Sequence, residues 1–405
     1  MIIRSRIRWY WLLVLFWLVS LSLAQPGALI GATRTARLQP TDVSRLTAGR
    51  FNNNGVRAPS PQNDVIIYLI TFESTDLNGQ SVPITAQVFV PVLDSTEAPI
   101  FIFAPGSTGL VEACAPSRPY VQNRGWETYS AYTLAYAGQG FISVMPNYMG
   151  FFNDEMIQPY FVRVAEGRVM LDAARATTAL LEQEGFALEE KGVFVGGFSQ
   201  GGHAALATAD LHAEYAPEVN LLGVLGFGAT TQLPDLFREF TFVAPLVLHA
   251  YNTFFPGQFD PAEVLAEPYA SSLAADAERL CIEGVQGHYP GNPANLYTPA
   301  FFEALMNDRL EADFPGLAAL FAENNAGLSS HGLPAIILQG VDDPVVTLSS
   351  QNRFVRQLCD NGSPVRYPNY LRTRHETRYI GFDDAIGWMR ALVAGETPPS
   401  DCDAL

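Results

Sequence analysis

Ser199 lies in the run Gly197-Phe198-Ser199-Gln200-Gly201-Gly202-His203, after the apolar stretch Gly192-Val193-Phe194-Val195-Gly196 and before the helix-favouring Ala204-Ala205-Leu206-Ala207. A serine between glycines at a strand-to-helix junction is placed as a nucleophile is. The turn is sharp, so the serine backbone is strained, and a Cβ two residues to either side would meet a neighbouring strand or helix. Taken alone, the same residues also read as a glycine-rich turn that happens to contain serine. The hydroxyl needs help in any case: a base must take its proton, and a carboxylate must orient that base.

When such a serine follows a parallel strand, its acid and then its base arrive on loops after later strands. The chain has six histidines, at 203, 212, 249, 288, 331 and 375. An acid is expected after the strand predicted at 334–338, in Gly340-Val341-Asp342-Asp343-Pro344-Val345-Val346, and His375 is the one histidine beyond it. Asp343 is preferred to Asp342, because Asp-Pro followed by two valines reads as a turn that points its carboxylate inward. His203 would ride on the helix behind the serine, where packing is its expected role. The remaining histidines read as surface or cap residues.

A tetrahedral intermediate also needs donors for its oxyanion. The backbone N–H of Gln200, at the positive end of the following helix, is one candidate. The second is expected from Pro105-Gly106-Ser107-Thr108-Gly109, with Ser107 or Thr108 as the donor.

The elements that must position these residues alternate between strand and helix. Strand patterns fall at 65–72 and 82–90, flanking Asn78-Gly79, a hairpin signal. Buried strands are expected at 99–103, 140–145, 192–196, 221–227 and 334–338, with a last strand at 365–370. Helices are expected at 128–138, 161–184, 348–359 and 382–393. The pattern indicates an α/β fold with a mostly parallel central sheet and helices on both faces. Residues 25–62 are polar and turn-rich and read as an arm. From 233 to 331 prolines, aromatics and short helical pieces replace the alternation, as an inserted helical cap would. Core segments at 63–232 and 332–405 flank that insertion. Phe237, Phe240, Phe254, Phe255, Phe301 and Phe302 read as cap core in preference to the lining of an acyl tunnel.

The ordered motifs resemble the secretory lipase family of α/β-hydrolases. The resemblance rests on Ala104–Gly109 leading to Cys114-Ala115-Pro116-Ser117, on Pro146-Asn147-Tyr148-Met149-Gly150, on Pro159-Tyr160 and on Gly197–Gly202 with its helix. Further likeness lies in Ala209–Gly228 and in the ending from His375 through Trp388 to Cys402. It covers about residue 50 to the C-terminus. It implies the α/β-hydrolase fold, a Ser199/Asp343/His375 triad, a lid within 233–331, and disulfides Cys114–Cys281 and Cys359–Cys402. The chain departs from the family at Pro105-Gly106, where His-Gly is usual, and at Asn147, where Asp is more frequent.

Composition bounds the partners. The formal charge is −17 and Lys191 is the sole lysine, so no basic stripe exists to neutralise nucleic-acid phosphates. Arg4, Arg6 and Arg8 precede an apolar run from Trp9 to Leu23 and then Ala24, which reads as a secretory signal over residues 1–24. An uncleaved anchor is the alternative. Four cysteines, at 114, 281, 359 and 402, suit an exported chain and permit three pairings. Their spacing suggests no metal, and the expected chemistry needs no cofactor. The expectation is therefore a secreted or periplasmic serine hydrolase of small-molecule or lipid esters, touching a lipid interface transiently through its cap. A peptidase or acyltransferase on the same fold is the alternative, and a non-catalytic binding protein a more distant one.

Overall fold

The computed structural model describes residues 25–118, 127–153, 155–186 and 189–405. The signal read over 1–24 lies outside the described residues. Among those described, ten strands make one sheet: β1 (Leu29–Leu38), β2 (Val65–Thr75), β3 (Ser81–Pro91), β4 (Glu97–Ala104), β5 (Ile142–Pro146), β6 (Glu189–Phe198), β7 (Leu221–Phe227), β8 (Ala335–Gly340), β9 (Val365–Arg366) and β10 (Asn369–Tyr370). The order is β1-β2-β3-β5-β4-β6-β7-β8-β10, with β9 also on β8. Pairing is antiparallel from β1 to β5 and parallel from β5 through β10.

The central strands are apolar throughout because both faces are covered; every residue of β5 and β8 is buried. Alternate residues of a strand point to opposite faces. Phe101, Phe103 and Phe194 meet Tyr136, Tyr132 and Trp388, so helices Glu127–Ala137 and Phe382–Val393 cover one face. The other face carries helix Gln200–Tyr215, on which helix Arg163–Gln183 packs so closely that a Cβ on Gly167 would lie 2.8 Å from the Ala207 carbonyl.

Two segments differ from the sequence reading. The stretch read as an arm contains β1 and a helix, Pro40–Asn53. The helix buries Val43, Thr47 and Phe51, one residue per turn, against the core. The strand expected at 365–370 is interrupted: Tyr367 donates its N–H to Asp401 rather than to a strand, and Pro368 has none to give. The expected hairpin at Asn78-Gly79 forms, with a loop ordered by Asp76, whose Oδ1 accepts the N–H of Asn78 and of Gln80.

Between β7 and β8 the chain makes helical segments from Leu233–Glu239 to Pro315–Asn324. Their rings pack inward: Phe237 against Tyr297, Phe301 and Phe321, with Phe240, Phe254, Phe255 and Phe302 partly buried on the same cluster. Cys114–Cys281 ties this region to the loop after β4, and Cys359–Cys402 ties helix Leu348–Asp360 to the C-terminus.

Candidate active site

The turn at Ser199 shows why its neighbours are glycines. Ser199 has φ 56° and ψ −115°, a conformation that costs energy for any residue with a side chain. Its N–H donates to the Phe227 carbonyl at 3.0 Å, and its carbonyl accepts from Thr230 N–H at 3.2 Å, so β7 and the loop after it hold the two sides of the turn. A Cβ on Gly197 would lie 2.0 Å from the Gly201 carbonyl oxygen, and one on Gly201 would lie 1.9 Å from that of Ala104. In both cases the Cβ would meet backbone atoms, so neither contact can be relieved by a rotamer change.

The end of β8 supplies the carboxylate. Asp343 is buried, and its Oδ1 accepts the N–H groups of Val345 and Val346 at 2.8 and 3.0 Å. Its Oδ2 lies 2.9 Å from His375 Nδ1. Asp342 is exposed, with its N–H on the Thr373 carbonyl. The turn thus sends Asp343 inward and its neighbour out. His375 reaches the Ser199 turn by contacts on two sides. Its ring centroid is 4.7 Å from that of Phe198, and Gly228 passes so near that a Cβ there would lie 3.1 Å from Nδ1. Phe198 itself is held from behind by the buried Arg378, whose guanidinium lies 4.6 Å from its ring centre and whose Nε donates to Glu376.

Gln200 begins helix Gln200–Tyr215, so its N–H has no helical carbonyl one turn back to bond. The loop after β4 is pinned along its length. Tyr148 donates its hydroxyl to the Pro105 carbonyl at 2.5 Å, Ser107 Oγ lies 2.5 Å from the Tyr160 hydroxyl, and Ile282 N–H donates to the Thr108 carbonyl. Gly109, with φ +139°, lies against the Cys114 sulfur. Thr108 is fully buried, whereas Ser107 is only partly so. Burial raises the phenols of Tyr148 and Tyr160, so both are neutral here.

The secretory lipase family model matches residues 127–401. The chain belongs to the secretory lipase family. Lipase A of Arthroderma benhamiae is 24% identical over 286 residues, which cover 65% of this chain and 55% of that one, so the chain spans about half the length of that relative. Among solved structures, the rice cell wall degrading esterase LipA from Xanthomonas oryzae is similar with a TM-score of 0.72 at 16% identity, over 91% of this chain and 97% of that one. Candida antarctica lipase A in its closed state gives 0.66 at 19%, over 94% and 85%. The fold is that of the α/β-hydrolases.

Sequence reasoning passed over one residue of this candidate site. Glu166, on helix Arg163–Gln183, is 2% exposed, and its Oε1 accepts the Gln200 side-chain amide at 2.7 Å. Its Oε2 lies 2.6 Å from Nδ1 of His203, itself fully buried. A glutamate between Ala165 and Gly167 in a helix otherwise apolar on that side was the available signal. His203 is therefore not simply packed: both its ring nitrogens have polar partners. Among the described residues no group of three or more His, Cys, Asp or Glu could hold a metal ion.

Proposed function

We propose that this chain is an exported serine hydrolase of carboxylic esters. Ser199 attacks the ester carbonyl; His375 takes the serine proton and returns it to the leaving alcohol; Asp343 holds the imidazole with its proton on Nδ1. The acyl-enzyme is then released by water through the same groups. The Gln200 N–H and a donor from Ser107 or Thr108 receive the oxyanion. The observation that carries this reading is the strained Ser199 turn beside a His375–Asp343 pair at 2.9 Å. The lipase and esterase names of the relatives support the substrate class. Helices 233–331 act as a cap: Ile282 bonds the Thr108 carbonyl, and Glu239 accepts Thr347 beside the acid loop, so the region is attached to both loops that flank the serine. Export through residues 1–24 is supported by the two disulfides, which suit an oxidising compartment.

A fluorophosphonate probe should label the wild type and leave Ser199→Ala unlabelled. A p-nitrophenyl ester series from C2 to C16, run beside aminoacyl-arylamides, assigns bond type and chain length. Failure of folded wild type to label, or turnover of amides in preference to esters, would overturn the proposal.

A further inference from the structure

The partners of the buried Glu166–His203 pair behind the Ser199 turn call for one proton more than a neutral histidine and an ionised glutamate carry. His203 Nδ1 faces Glu166 Oε2 at 2.6 Å, and His203 Nε2 faces the Asn324 carbonyl oxygen at 2.7 Å. A carbonyl can only accept, and so can an ionised carboxylate. A neutral imidazole carries one N–H. Opposite an ionised Glu166 it would leave a ring lone pair pressed against an oxygen lone pair at hydrogen-bond distance between two buried side chains. The contacts are satisfied only if the pair holds a second proton between Nδ1 and Oε2, with the first on Nε2.

Surrounding groups do not remove that requirement. The phenols of Tyr148, Tyr160 and Tyr251 face Glu166, and burial raises each well above its ordinary value, so they are neutral. Arg163 is turned away, with Nε on the Glu323 carbonyl and its guanidinium 3.7 Å from Asp210. The remaining contacts of Glu166 lead to the site. Oε1 accepts the Gln200 side chain and, at 3.2 Å, the N–H of Phe161. Phe161 holds φ +54°, and Tyr160 before it is the partner of Ser107. One carboxyl group thus reaches both sides of the proposed oxyanion site.

We propose that Glu166 and His203 share a proton and act as a neutral positioning clamp for Gln200 and for the Tyr160–Phe161 turn that supports Ser107. The inference rests on the serine-hydrolase reading above. Neutrality matters because a bare carboxylate bonded to the Gln200 side chain would oppose negative charge arising at the backbone N–H of that residue. The proton is retained when the substrate reacts; the clamp does not transfer it.

Two measurements test this. In wild-type protein labelled with 15N-histidine, the His203 ring at neutral pH should show Nε2 protonated and Nδ1 sharing a proton with Glu166 in a strong hydrogen bond. A His203 ring with a bare Nδ1 or a bare Nε2 would overturn the shared proton, and this readout needs no activity. Glu166→Gln retains every bond, its amide oxygen accepting from Gln200 and Phe161 and its nitrogen donating to Nδ1, so kcat should stay within about threefold. Glu166→Ala should lower kcat at least tenfold with KM nearly unchanged, on the scale of a weakened oxyanion donor. A folded Glu166→Ala with wild-type kcat, or a folded Glu166→Gln as impaired as it, would overturn the clamp. If Glu166→Ala does not fold, the Gln variant and the ring signal decide. Fluorophosphonate labelling at Ser199 reports separately on the reading beneath it.

Discussion

Asp343→Asn isolates the part of the proposed mechanism that the geometry defines most tightly. Oδ1 is committed to two backbone donors, Val345 and Val346 N–H, at 2.8 and 3.0 Å. An asparagine cannot turn its NH2 toward them without setting donor against donor, so its carbonyl stays there and its NH2 replaces Oδ2 opposite His375 Nδ1. The imidazole must then accept at Nδ1 and carry its proton on Nε2, the nitrogen that has to take the proton of Ser199. The fold loses almost nothing, because the number of hydrogen bonds is kept. The reaction loses its base, an effect on the order of 10⁴ in kcat where the same substitution breaks the tautomer in a triad. That corresponds to about 5.4 kcal/mol of transition-state stabilisation. The assay is kcat on p-nitrophenyl butyrate, with concentration checked by a folded-state melt. Asp342→Asn is the internal control: its side chain is exposed, and kcat should change less than about twofold. Asp343→Asn within tenfold of wild type, or an equal loss in Asp342→Asn, would refute the assignment.

Two further substitutions test the scaffold. Gly201→Ala places a Cβ 1.9 Å from the Ala104 carbonyl and 2.8 Å from that of Pro105, so it should cost about 3 kcal/mol or more and lower the melting temperature markedly. Gly287→Ala, in the short helix Ile282–His288 with open space around it, should leave the melt unchanged or raise it, and equal melts for the two would contradict the steric argument. Burial holds the imidazole of His331 below its ordinary value of 6.5, while its Nδ1 accepts the Leu333 N–H. Because the folded value is the lower one, the unfolded chain takes the proton first, and stability is lost as pH falls from 6.5 toward the folded value. His331→Gln should therefore shrink the drop in urea midpoint between pH 7.5 and 5.5; an undiminished drop would show that the histidine is not responsible.

What was legible in the sequence follows from how many faces each element buries. β5 and β8 are covered on both sides, so they appear as unbroken apolar runs and were readable. β1 pairs with β2 alone and leaves most of its residues exposed or half-exposed on both faces, so Leu29–Leu38 carries no period-two pattern at all. The helix after it hid for a related reason. Its buried stripe is Val43, Thr47 and Phe51, and the middle member is polar, its hydroxyl satisfied within the helix by the Val43 carbonyl. Likewise the interruption at Tyr367-Pro368 depends on Asp401, a residue 34 positions away that no local pattern could announce.

The site divides along the same line. Ser199, Asp343 and His375 sit on loops at strand ends, where glycine spacing and chain order constrain the reading, and a hydrogen bond joins His375 to Asp343. Glu166 lies in the first turn of its helix, with no motif around it, and its partners are 34 and 37 residues further on. A buried carboxylate in an apolar helix is costly unless it is paired, so the sequence signal lies in that cost, not in a pattern. Asp172, one helix face away, shows that the cost alone does not mark function. It too is buried, and burial raises its carboxyl, yet its partners Ser74, Tyr215 and Arg175 tie the helix to β2 and to the far end of helix Gln200–Tyr215. The two carboxylates are separated only by where their hydrogen bonds lead, and those of Glu166 lead to the residue after the proposed nucleophile.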